Sequence, residues 1–71
     1  MKRIYLLDGS LHSHEALQLL EQKSLAVEPV TVSGPEMAEL FHQAGIRELP
    51  TLVWDSGRYE GLEQIRSFVE H

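Results

Sequence analysis

Cysteine is absent from this chain of 71 residues. That excludes disulfides, thiolate metal sites and any nucleophilic thiol. It leaves the redox compartment undecided. Basic runs are missing too: 6 Lys and Arg stand against 11 Asp and Glu, for a net charge of −5. Nucleic acid and anionic membranes are recognised by basic stripes, so neither is expected as a partner. No apolar stretch approaches the roughly 20 residues of a membrane span. Met1-Lys2-Arg3-Ile4 opens as a signal peptide does, but its apolar run stops at Asp8, too short for an h-region. A cytoplasmic protein is therefore expected. Repeats, linkers and low-complexity segments are also lacking, which predicts a single domain over residues 1–71.

What is present is an ordinary globular composition, with 42% hydrophobic residues. A chain this short buries only about 60% of its unfolded surface, so a stability of a few kcal/mol is expected.

The chain is organised around the stretch Asp8-Gly9-Ser10-Leu11-His12-Ser13. Before it, Arg3-Ile4-Tyr5-Leu6-Leu7 is a nearly continuous apolar run, suited to a buried strand. After it, Ser10 to Leu25 shows helical periodicity, with Leu11, Ala16, Leu17, Leu20 and Leu19 predicted on one broad face. Ser10 or Ser13 can cap this helix. The first amides of a helix lack intrahelical partners and carry its positive dipole end.

Val27 to Val32 is β-branched and predicts a second strand, placed at an edge by Pro29. Ser33-Gly34-Pro35-Glu36 has capping-box spacing, and Met37, Leu40, Phe41 and Ala44 then predict the core stripe of a second helix ended by Gly45. Leu49 to Trp54 reads as a third strand, Asp55-Ser56-Gly57 as a hairpin turn and Arg58 to Glu60 as a fourth strand. Gly61 opens a last helix that buries Leu62, Ile65, Phe68 and Val69. Trp54 and Tyr59 are expected in cross-strand or hairpin packing. Glu15, Glu21, Glu36 and Glu39, with His42 and His71, are expected in solvent. The order is βαβαββα.

This order, with Ser10-x-x-Ser13 opening the first helix and Leu49-Pro50-Thr51 opening the third strand, resembles the thioredoxin fold, and within it the glutaredoxin and glutaredoxin-like thioredoxin branch. Ala16, Leu19 and Leu20 continue the family's first helix. Pro35-Glu36 through Gly45-Ile46-Arg47 resembles its second helix and loop, and Gly57 through Gly61 its final hairpin. The resemblance implies an α/β, thioredoxin-like domain with a mixed four-stranded sheet and helices on both faces. It also implies a cis Leu49-Pro50 bond beside which an extended substrate would lie.

In that family the positions of Ser10 and Ser13 carry cysteines, and the parent activity is thiol–disulfide oxidoreduction. Leu11 stands where a proline is common, and Gly61-Leu62-Glu63 only partly echoes the family's Gly-Gly-x-Asp segment. A hydroxyl cannot perform thiol exchange, so the Ser-x-x-Ser form is expected to be redox-inactive and no enzyme as written. Three readings of the pair stand open: two caps, a natural non-catalytic relative, or a cysteine pair exchanged for serine.

The candidate catalytic positions are thus Ser10 and Ser13, with His12 as modulator. Leu11, Leu49 and Pro50 are the candidate binding residues. The expected partners are protein thiols or disulfides, or an extended peptide. Glutathione is a candidate substrate or ligand, and no resident cofactor is expected. His12 and His14 with Asp8 could in principle ligate a metal, but side chains two apart on a helix diverge, so no metal is expected.

Overall fold

A computed structural model describes residues 2–70. Seven elements follow in order: β1 (Arg3–Leu7), α1 (Leu11–Gln22), β2 (Glu28–Val32), α2 (Met37–Ala44), β3 (Thr51–Trp54), β4 (Gly57–Glu60) and α3 (Leu62–Glu70). A 3-10 turn over Gly34–Glu36 leads into α2. The strands form one mixed sheet of order β2-β1-β3-β4. β1 runs parallel to β2 and antiparallel to β3, and β3 runs antiparallel to β4. This is a small α/β domain with a four-stranded sheet and three helices. His71, expected in solvent, lies outside the described residues.

The pleat sorts side chains by parity. Ile4, Leu6, Leu52, Trp54 and Tyr59 share one face, because Ile4 pairs with Leu52 and Leu52 with Tyr59. The core lies on this face: Ile4, Leu6 and Leu52 pack with Ala16 and Leu20 of α1 and Ile65 of α3. Trp54 and Tyr59 meet through Phe68, with ring centroids 5.2 and 4.6 Å from it. Arg58 points to the opposite face. There its guanidinium donates to the carbonyls of Ala44 and Gly45, at 2.9 and 3.2 Å, and so ties down the C-terminal end of α2.

Three expectations about the helices are corrected. Leu11 is not on the buried face of α1 but 77% exposed. At about 100° per residue it lies half a turn from Leu20, whereas Ser13, Ala16 and Leu20 follow at i, i+3 and i+7. Those three are the buried residues of α1. The helix also ends at Gln22 rather than Leu25, because Ser24 adopts a left-handed φ of 55°. In α2 no residue is fully buried, and Phe41 is 52% exposed. The stripe Met37, Leu40, Phe41, Ala44 is therefore a half-covered face, and Ile46, just past the helix, is the buried anchor.

Local chemistry explains the helix ends. Ser33 N–H donates to the Glu36 carboxylate at 2.8 Å, and Ser33 Oγ lies at the same distance. These bonds hold the Glu36 carboxyl below its ordinary pKa. Gly45 closes α2 with a left-handed φ of 70°. Pro29 lies on β2, which is an edge strand as expected.

Candidate functional site

β1 is a central strand, and α1 starts just beyond its carboxyl end. Asp8 and Gly9 make the turn, with Ser10 N–H donating to the Leu7 carbonyl at 3.1 Å. Ser10 is the N-cap, in extended conformation, and its Oγ accepts from Ser13 N–H at 3.3 Å. Ser13 is not a cap. It lies in the first turn, 3% exposed, and its Oγ accepts from Leu7 N–H at 2.8 Å. This bond ties α1 to the strand it follows.

The two hydroxyls therefore have local structural duties. Among the described residues no hydrogen bond joins His12 or His14 to either of them. A serine nucleophile needs such a base, so the arrangement offers no Ser–His couple. His12, His14 and Leu11 are all exposed. Among the described residues no cluster of three or more His, Asp or Glu could hold a metal ion.

Leu49-Pro50 is a cis peptide, as expected. The chain here is pinned from both sides: Thr51 Oγ1 donates to the Glu48 carbonyl, and Gly61 N–H donates to the Pro50 carbonyl at 2.8 Å. Pro50 and Thr51 are buried, while Leu49 is half-buried. Since Tyr5 pairs with Thr51, the antiparallel run carries Pro50 and Leu49 back toward Leu6 and Leu7. Leu7 is the residue held by Ser13.

Two clefts flank this junction. One, of about 300 Å³, is lined by Leu7, Asp8, Ser10, Leu11 and Ser13. The other, of about 310 Å³, is lined by His12, Glu48, Glu60, Gly61 and Glu63. The structure thus brings the start of α1, the connector before β3 and the start of α3 to one end of the sheet.

Glu48 was not found from the sequence, and Gly61 was read there without its neighbour Glu48. A Cβ at Gly61 would lie 2.9 Å from Glu48 Oε1, and its φ is +86°. The left-handed φ favours glycine, whereas the Glu48 carboxylate ends an exposed, flexible side chain that can move aside. The glycine directly after a strand was legible as the opener of α3 and as part of the Gly61-Leu62-Glu63 echo, but not as the neighbour of Glu48.

Replacing Ser13 by alanine removes the acceptor for Leu7 N–H and leaves a part-buried donor unsatisfied. The expected loss is about 1–3 kcal/mol. Ser10→Ala removes only a cap and is expected to lose about 1 kcal/mol. Chemical denaturation of the two variants checks this order; equal losses would show that the Ser13 bond contributes nothing special.

Compared with family models, with curated proteins and with solved structures, the chain matches none.

Proposed function

We propose that the chain is a thioredoxin-like domain of the glutaredoxin-like branch, redox-inactive in its Ser-x-x-Ser form, that binds an extended peptide at the end of the sheet where α1 begins. The parent activity of such a domain, with cysteines at positions 10 and 13, is thiol–disulfide exchange. As written, the chain binds without turnover.

The observation that supports this reading is that His12, next to Ser13, and Glu48, next to Leu49, line one cleft. A ligand there can meet the helix start and the connector together. The proposed ligand runs from this cleft, lined by His12, past Leu49 toward the neighbouring cleft lined by Ser10 and Leu11, while the buried Ser13 and Pro50 hold the backbone beneath it. Glu48, Glu60 and Glu63 give the cleft an acidic wall. That wall favours a peptide over glutathione, whose carboxylates it would repel. The Ser13–Leu7 bond supports a second reading, a natural non-catalytic module in which both serines are native: each hydroxyl already satisfies a backbone amide.

Amide-shift titration tests the site. A panel of extended thiol-bearing peptides is expected to perturb residues 8–14 and 48–51 with affinity near millimolar, about 4 kcal/mol. Glutathione is expected to perturb them less. Shifts confined to other surfaces, or none at all, would overturn the proposal.

A further inference from the structure

The sheet has two outer strands, and they are not treated alike. β2 carries Pro29 and an exposed Glu28, which suit an edge that must stay unpaired. β4 has no proline and consists of Gly57-Arg58-Tyr59-Glu60. Its amides alternate in direction. Glu60 N–H donates to Gln64 Oε1 at 2.9 Å, so it points away from β3. Arg58, two residues earlier, points the same way. Among the described residues no hydrogen bond reaches the Arg58 N–H.

We propose that this edge of β4 pairs antiparallel with β4 of a second copy of the chain, about a two-fold axis passing between the two Tyr59 residues. The charge pattern selects both occupant and register. With Tyr59 opposite Tyr59, Arg58 of each copy stands directly across from Glu60 of the other. Both lie on the same sheet face, since Arg58 and Glu60 share parity. Both also have outward amides, so each Arg58–Glu60 couple can exchange two backbone hydrogen bonds. The Glu60 amide leaves Gln64 for the Arg58 carbonyl of the other copy. The Arg58 guanidinium uses only part of its five donors on Ala44 and Gly45, and can also meet a carboxylate.

The opposite face supplies the apolar contact. Tyr59, Gln64, Ser67 and Phe68, with Arg58 at the edge itself, line an open cleft of about 600 Å³. The two-fold axis turns the two clefts toward each other and covers the half-buried Tyr59 and Phe68 rings. Only Arg58, Tyr59 and Glu60 of each β4 pair, so the dimer is weak and concentration-dependent.

Two measurements test this. Sedimentation from about 10 µM to about 1 mM is expected to show a monomer–dimer equilibrium, and Glu60→Arg, which sets Arg against Arg twice, is expected to weaken it about tenfold. The absence of cysteine makes the register directly readable. Tyr59→Cys places the new thiol opposite its own copy in a non-hydrogen-bonded pair, where Cα atoms are about 4.5 Å apart and a disulfide can close. Ser56→Cys, in the turn, falls about 20 Å from its copy. Oxidation is expected to cross-link folded Tyr59→Cys and not Ser56→Cys. A wild-type chain that stays monomeric at 1 mM overturns the proposal, as does a dimer indifferent to Glu60→Arg or equal cross-linking of both cysteine variants. If Tyr59→Cys does not fold, the sedimentation comparison alone decides.

Discussion

Replacing Ser10 and Ser13 together by cysteine is expected to take the chain from no disulfide chemistry to measurable exchange. A thiol at position 10 sits at the N-cap of α1, where the amides and dipole of the first turn favour a thiolate. The present Ser10 Oγ already lies 3.3 Å from Ser13 N, so the side chain of residue 10 is directed over the turn that holds residue 13. A second thiol there can resolve a mixed disulfide. The single variants should separate the roles. Ser10→Cys alone is expected to form mixed disulfides and stall. Ser13→Cys alone is expected to react slowly, because position 13 is 3% exposed. The readout is reduction of glutathione disulfide or insulin, with thiol counting in a glutathione buffer. A folded double variant whose thiols never pair, or pair without exchange, would reduce both positions to structural roles.

The largest expected effect on stability comes from Ile65→Ala. Ile65 is fully buried and belongs to the cluster of Ile4, Leu6, Ala16, Leu20 and Leu52. Truncating a buried isoleucine typically costs about 2–5 kcal/mol. A chain of this length has about 4–10 kcal/mol in all. The melting midpoint should fall by about 10–30 °C. Phe41→Ala is the comparison: a larger side chain, but 52% exposed, and expected to lose under about 1 kcal/mol. A thermal melt in which both variants lose equally would mean that α2 belongs to the core after all.

That comparison marks where the sequence was legible. The strands, the hairpin at Asp55-Ser56 and the caps at Ser10, Ser33 and Gly45 follow from short-range chemistry, and local residues carried the signal. Sidedness was harder. Leu11 is apolar and begins a helix, so it read as core; its angle from Leu20 says otherwise. Ser13 is polar and read as a cap; it occupies the buried stripe because a backbone amide of β1 requires an acceptor there. α2 has a clean apolar period, but periodicity reports an amphipathic helix and not how far the sheet covers it. Of the candidate site, Ser10, Ser13, Leu49 and Pro50 were each proposed from the sequence. Glu48 entered only with the fold, since its nearness to Gly61 depends on β3 and β4 being paired.

The strand order has a consequence for synthesis. β1 leaves the ribosome before the other three strands, yet it is an interior strand of the sheet. Its first neighbour, β2, comes after α1, and its second, β3, pairs Arg3 with Val53 far downstream. The lid over Ile4 and Leu6 is completed by Ile65 of α3, more than fifty residues downstream. A nascent chain halted after α2 can hold β1, α1 and β2 together, but with one flank of β1 open and its apolar residues uncovered. Vectorial growth therefore supplies no finished intermediate. Cooperative closure waits for α3, and the half-made chain is the species that a chaperone would find to hold.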